Sequence, residues 1–471
     1  MEQLELEELK MCFVEGRSVF SVFAQLYKLC LRYEDALLRH RLDEEERISE
    51  LVRELGIWVE DSSETLMKSS VDNIAEIITN SVSGDSDILM FSYAFLLAVD
   101  DISFRYVCAN GNSKLQICHS SEFGTVVLKN RNKRDLGKYQ KRMRERSRLW
   151  PKDITSGLNH LHVIVNENII VNELPDILRL DWSIRDSLKI GIAQATIDPV
   201  YEVHGNTGLG VKFRITDATD IRKLDRDICK YLHQAFERKV NILVFPELIF
   251  PGKLEERFIR LLNYYLRKYE HPIVVVVGYL HCSHQSSESV NMAKCFVPEV
   301  NFELGIPEYD VLCHTIKNQP VNFVSGEKGL ETISADAPKI GAVEDIFTSP
   351  YNNVIESPFG RILFLICKDY LKYQDGNIID LDLEVILVCS MTPDSTITQK
   401  FHSKASNLRD NHLVSSVICN NGFFVQASNT ASKNNSFATS PIVMKIDGDT
   451  NVVEEFFGKD PENENLEIFS I

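Results

Sequence analysis

VNILVFPE, residues 240–247, is an apolar run broken by one asparagine that stops on a proline and a carboxylate. Strands with one wet face alternate apolar and polar residues, whereas strands buried on both faces read as continuous apolar runs. This stretch is of the second kind and predicts a strand inside a covered sheet. LKIGIAQATI (188–197) before it and PIVVVVGYL (272–280) after it are runs of the same type. Between them, DIRKLDRDICKYLHQAFERK (220–239) and LEERFIRLLNYYLRKY (254–269) carry apolar residues every three or four positions, the period of a helix with one buried face. Apolar strands alternating with amphipathic helices predict an α/β domain whose sheet is covered by helices. RILFLIC (361–367), VILVCS (385–390) and FFVQAS (423–428) continue the strand series, and SPIVMKI (440–446) with NVVEEFF (451–457) reads as a hairpin.

Upstream the texture differs. Residues 2–80 have helical periodicity with charges between the apolar positions, and DSSETL offers a helix start near Ser63. DILMFSYAFLLAVDD (87–101) is too short for a membrane span and reads as a buried core helix. SFRYVCA (103–109), KLQICHS (114–120) and GTVVLKN (124–130) read as short strands. Two domains are therefore expected: residues 1–185, mainly helical with a few short strands, and residues 186–471.

Composition narrows the function. The chain has 471 residues, 44% of them apolar and 25% charged, with a formal net charge of −17. That charge disfavours general coating of nucleic acid or anionic membrane. No window of twenty apolar residues exists, so no membrane partner is expected. The start, MEQLELEELKMCF, is acidic and helical in pattern, unlike a secretory signal. Eleven cysteines without a CxxC pair suit reduced thiols and a cytoplasmic location.

Three apolar runs of the second region deliver reactive side chains at their ends: Glu247 after ILVFP, Lys317 after HTI and Cys367 after FLI. Strand ends in layered α/β domains are where ligands bind. A carboxylate can take a thiol proton, the thiolate can attack a carbonyl or nitrile carbon, and an ammonium can face the oxyanion that develops. A nearby cation would also lower the thiol pKa. Cys367 by itself reads equally as a buried core cysteine; Cys313 and Cys389 are read as core.

The order of these segments resembles the nitrilase, or carbon–nitrogen hydrolase, superfamily over about residues 187–458. KIGIAQ is similar to its first strand, RDICKYLHQAFERKVNILVFPELIFPG to its first helix and Pro-Glu strand, and VVVVGYL with VNMAKCFVP to its Gly-bearing and Asn-Ala strands. LFLICKDY, EVILVCSM and HSKASNLRDNHLVSSVICNNGFFVQASNT are similar to the nucleophile strand and the closing strand, helix and strand. The resemblance implies a four-layer α-β-β-α sandwich and a homo-oligomer formed through the helical face. It implies hydrolysis of a non-peptide carbon–nitrogen bond in a small amide-type substrate, with no metal and no cofactor. Cys367 would be the nucleophile, Glu247 the base and acid, and Lys317 the oxyanion cation. The backbone N–H of Lys368 would be a second oxyanion donor. A further carboxylate is expected after the lysine, with Glu327 as first candidate and Glu331 as second. Asn318 stands where many relatives have His, Tyr370-Leu371 follows CKD where an Arg is usual, and Lys368 replaces an aromatic residue. Residues 196–216 read as a loop longer than the family's.

Residues 129–148 hold ten Lys and Arg against Asp135 and Glu145. They read as a solvated helix, or as a nucleic-acid or phosphate contact through Lys141, Arg142, Arg144, Arg146 and Arg148. HGNTGLG (204–210) matches no phosphate-binding fingerprint and reads as a flexible loop. His281, Cys282 and His284 lack the distant partners a zinc site needs. Two alternatives remain beside the hydrolase: a scaffold that keeps the fold, and a nucleic-acid-responsive protein whose first domain recruits partners.

Overall fold

The computed structural model describes residues 6–37, 44–62, 65–109, 117–121, 123–128, 158, 161–164, 168–183, 187–284, 288–300, 305–327, 330–373, 381, 383–392, 395–412, 414–420, 436–446, 449–457 and 466–470. The chain divides into two compact units, Met1–Glu167 with Asp380–Asp382, and Asn168–Ile379 with Leu383–Ile471.

The first unit contains helices α1 (Leu6–Cys12), α2 (Val19–Arg32), α3 (Glu45–Ser62), α4 (Lys68–Ser81) and α5 (Asp85–Ala109), then an antiparallel sheet of β1 (Ile117–Ser121), β2 (Gly124–Leu128) and β3 (Leu161–Ile164). Helix α5 buries Ile88–Leu96 on all sides, as an apolar run without amphipathic pattern requires. It also absorbs SFRYVCA, expected as a strand: the run continues α5, with no turn residue to stop it. No helix among the described residues is long and apolar enough to cross a membrane. Residues 129–157, with Lys141, Arg142, Arg144, Arg146 and Arg148, lie outside the described residues.

The second unit begins at Asn168 rather than near 186, because β4 (Ile169–Glu173) pairs in parallel with a strand of its sheet. Helix α6 (Asp176–Ser183) follows, with Trp182 buried edge-on to Phe359. Next come β5 (Lys189–Ile192), β6 (Pro199–Thr207), β7 (Gly210–Ala218), α7 (Ile221–Glu237), β8 (Ile242–Val244), α8 (Glu255–Tyr269), β9 (Val274–Gly278), β10 (Cys282–His284), β11 (Glu288–Val290), β12 (Met292–Val300), β13 (Pro307–Ile316), β14 (Asn322–Phe323), α9 (Ala337–Ile340) and β15 (Ala342–Glu344). The second half holds β16 (Asn352–Ser357), β17 (Gly360–Ile366), α10 (Lys368–Lys372), β18 (Leu383–Ser390), α11 (Ser395–Asn407), β19 (Ser415–Asn420), β20 (Ser436–Ile446), β21 (Asp449–Phe457) and β22 (Glu467–Ser470). The strand expected at FFVQAS lies outside the described residues.

Among the described residues thirteen strands form one hydrogen-bonded sheet, twelve of them along the path β13-β12-β9-β8-β5-β22-β20-β19-β18-β17-β16-β4 and β21 off it beside β20. The path doubles over. Strand β13, at one end, touches β16 and β17 near the other, and the Asn353 amide donates to His314 O at 2.8 Å. The Cys419 thiol of β19 donates to Ala193 O and Val244 O at 3.5 and 3.3 Å, across the facing half. Helices α7 and α8 pack together, and their apolar faces join the core of β8 and β9. On the other half Tyr370 of α10 meets Phe401 of α11, and His402 of α11 lies against Phe437 of β20. The layers are thus α-β-β-α, with β22 bonded to both β20 and β5 and so joining two halves into one path.

Where the sequence suggests a loop over 196–216, residues 199–218 form an antiparallel hairpin, β6–β7, in a four-stranded sheet ordered β14-β15-β7-β6. Pro199 and three glycines, Gly205, Gly208 and Gly210, mask the strand pattern in the sequence. Gly210, at φ +133°, is needed there: a Cβ would lie 2.6 Å from the Gly341 carbonyl carbon.

Candidate active site

Parallel strands β8 and β9 on one half, and β17 and β18 on the other, run toward the site with their C-terminal ends. The chain leaving β8 delivers Glu247, 1% exposed. Gly278, at the end of β9, permits this, since a Cβ there would come within 2.4 Å of Pro246 O and 2.6 Å of the Glu247 Cα. Its carbonyl accepts the N–H groups of Ile249 and Phe250, both at 3.0 Å, fixing the turn beyond the carboxylate. Gly278→Ala is expected to destabilise the second unit by about 1–3 kcal/mol or more through overpacking. Denaturant midpoints of the two proteins measure this, and equal midpoints would contradict it.

Lys317 leaves the end of β13 with its backbone N–H donating to Asn291 O at 2.8 Å, and its side chain is fully buried. Its Nζ donates to Glu247 Oε1 at 2.7 Å and to Glu344 Oε2 at 2.9 Å. Burial alone would depress an ammonium pKa; the two carboxylates outweigh it and hold Lys317 well above its ordinary value. An ammonium has three protons. Two are taken, and the third has no acceptor among the described residues.

Cys367 follows β17 in a tight turn into α10, with φ 48° and ψ −111°, and its N–H donates to Cys389 O at 2.8 Å. Ser390 Oγ lies 3.6 Å from the sulfur. Burial, then the charge of Glu247, push the thiol up to about 12, against the pull of Lys317. The lowered pKa expected from a neighbouring cation is therefore not found, because desolvation of a buried thiol exceeds the effect of one ammonium already paired to two carboxylates. The Met391 N–H donates to Glu247 Oε2 at 2.9 Å and reaches the same sulfur, so base and thiol share one amide.

The second carboxylate is Glu344, at the end of β15, not Glu327. Glu327 is exposed and accepts from Val324 N within its own turn, at 2.9 Å; Glu331 is exposed as well. Both stand on the surface side of the connection after Lys317, whereas β15 carries Glu344 back beneath the lysine. Four donors saturate Glu344: His281 Nε2 and Asn291 Nδ2 on Oε1, at 2.9 and 2.7 Å, and Lys317 Nζ and Val321 N on Oε2, at 2.9 and 2.8 Å. Burial opposes ionisation, but Lys317 and these hydrogen bonds hold the carboxyl far below its ordinary range. Glu247 differs. Its Oε1 takes Lys317 and Asn291 at 2.7 and 2.8 Å, while its Oε2 accepts from Met391 N alone among the described residues. Of the two carboxylates, only Glu247 keeps lone-pair capacity beside the sulfur.

His281 belongs to this network. Ile215 N–H donates to its Nδ1 at 2.6 Å, so a neutral ring carries its proton on Nε2 and offers it to Glu344. Asn291 lies in the Asn-Ala segment noted in the sequence, and Asp369 in the CKD triplet, but neither spacing specified a partner. Lys368 opens α10 half-buried.

No protein-family model and no curated protein matches the chain. Its fold is similar in part to solved structures. Nit3 of Saccharomyces cerevisiae, a member of branch 10 of the nitrilase superfamily, is 12% identical and overlaps 61% of this chain and 90% of its own, with a TM-score of 0.37. The NitN amidase from Neterenkonia sp. AN1 is 12% identical over 60% of this chain and 92% of its own, at 0.32. The C. elegans NitFhit protein is 14% identical over 60% of each chain, at 0.36.

Proposed function

We propose that the second unit is a carbon–nitrogen hydrolase of the nitrilase type, acting on a non-peptide amide or carbamoyl bond of a small molecule in preference to a nitrile. The observation that carries the reading is the count of unused bonding positions: one ammonium proton on Lys317 and one lone-pair position on Glu247 Oε2, both beside Cys367. A thiol raised to about 12 is protonated at neutral pH, so its proton leaves during attack rather than before it. In this reading Glu247 takes that proton as sulfur bonds to the carbonyl carbon. Negative charge on the carbonyl oxygen meets the spare Lys317 proton and the backbone N–H of Lys368. The protonated Glu247 then delivers its proton to the leaving nitrogen as the C–N bond breaks, leaving an acyl thioester on Cys367. Water, deprotonated by Glu247, attacks the thioester; the acid departs and the thiol recovers its proton. No cofactor enters the cycle. A cytoplasmic homo-oligomer is the setting this reading implies.

The test is intact-protein mass spectrometry after incubation with a soluble metabolite extract, on wild type and Glu247→Gln. The weakened base is expected to slow thioester hydrolysis, so an adduct accumulates on Cys367 and is lost in Cys367→Ala. Adducts that persist in Cys367→Ala would refute the nucleophile assignment.

A further inference from the structure

Asp369 lies two residues after the nucleophile, 5% exposed, and the cycle above does not use it. Its Oδ2 accepts the N–H of Asn318 at 2.9 Å and its Oδ1 accepts the N–H of Gln319 at 2.7 Å. Two successive amides thus close on one carboxylate, directly after Lys317. Cys367 sits at the end of β17 and Lys317 at the end of β13, strands far apart along the folded path that meet across the sandwich. The ammonium itself is anchored to Glu247 and Glu344, on the β13 side, so it carries no bond to the nucleophile turn.

We propose that Asp369 is a positioning residue that clamps the chain leaving Lys317 to the turn carrying Cys367, and so fixes the separation of ammonium and sulfur. The proposal rests on the reading of Cys367 and Lys317 given above. Both carboxylate oxygens act as acceptors, and only the ionised acid offers two full acceptors in this geometry. Burial raises the Asp369 carboxyl to about 7, against the pull of the two amides and Lys317 and with the push of Glu247. The further charges near Asp369 are Lys368 and Lys372 of α10 itself and Lys404 of α11, which is turned to Tyr373 O and the Tyr370 ring. Ionisation of Asp369 near neutrality therefore strengthens both hydrogen bonds of the clamp as pH rises.

The experiment is the rate of Cys367 alkylation by iodoacetamide, read by peptide mass spectrometry from pH 5.5 to 9, with thermal denaturation as the folding control. A thiol far from its pKa gives a rate proportional to thiolate, one decade per pH unit. Wild type is expected to show an additional rise of about tenfold centred near pH 7, the result of a one-unit fall in thiol pKa as the ammonium is brought up. Asp369→Asn should lose the additional rise and lie on the open-clamp line. Gln319→Pro, which removes one donor and leaves the acid, should reduce it; this variant and the wild-type profile decide the matter if Asp369→Asn does not fold. An Asp369→Asn profile parallel to wild type, with only the melting temperature changed, would overturn the clamp. Lys317→Met separates the two levels of inference: it should lower the rate and abolish the rise. If it lowers the rate while Asp369→Asn keeps the rise, the clamp alone fails. If it changes neither, the reading of Lys317 fails and the clamp with it.

Discussion

Lys317→Met is expected to slow formation of the Cys367 adduct by about 10²–10³-fold, the effect of removing one preorganised oxyanion donor. The same substitution should cost about 3–5 kcal/mol of stability, because it removes one partner from a buried ionic cluster. What remains is Glu247 facing Glu344, two carboxylates bridged, among the described residues, by Asn291 alone. Like charges in a dry site do not both ionise, so one carboxyl retains a proton and its folded pKa rises. A raised folded pKa gives stability that is present in acid and lost as pH rises through it. The variant should therefore lose stability from mildly acid to neutral pH. In wild type Glu344 has a lowered folded pKa, so its contribution is complete above its ordinary 4.5 and erodes only in stronger acid. A steeper fall of the urea midpoint from pH 5 to 8 in the variant than in wild type is the expected result; parallel slopes would remove the ionic account of the cluster.

The second large effect separates the two glutamates. Glu344→Gln and Glu247→Gln change the same atoms, yet they should fail differently. Glu247→Gln removes the lone pair beside sulfur and should slow both acylation and deacylation, each by about 10²–10⁴-fold. In Glu344→Gln the new NH2 group meets a site where all four neighbours donate: His281, Asn291, Lys317 and Val321. A donor forced against donors leaves buried groups unpaired, each costing about 1–3 kcal/mol. Glu344→Gln should accordingly be the less stable protein, while the deacylation-to-acylation ratio of whatever folds stays as in wild type. Equal stability of the two variants would mean that Glu344 is not saturated as described.

The layered fold was legible because its strands are buried on both faces. VVVVG and ILV carry the signal in every residue, and all of those residues are buried. Strand β6 is the counter-example: most of it is exposed, its sequence is Pro199 followed by mixed residues with Gly205 inside, and nothing in PVYEVHGNT demands a partner. The helical period missed the last turns of α5 because FRYV has strand propensity and only the continuing helix decides it. At the candidate site, Glu247, Lys317 and Cys367 each end an apolar run in the sequence, and the structure brings the three together. Glu344 ends a three-residue strand, and proximity to the lysine along the chain favoured Glu327 instead. What placed Glu344 was β15 pairing with β7, a hairpin the sequence hides. His281 and Asp369 accept from backbone amides of distant residues, Ile215 for the first and Asn318 and Gln319 for the second, and such amides carry no side-chain signature.

Cys367 occupies a backbone conformation, φ 48° and ψ −111°, in which glycine would rest more comfortably than any residue with a Cβ. Holding a side chain there costs on the order of 1–3 kcal/mol. Glycine at this position would thus relieve the turn and raise the melting temperature while removing the thiol.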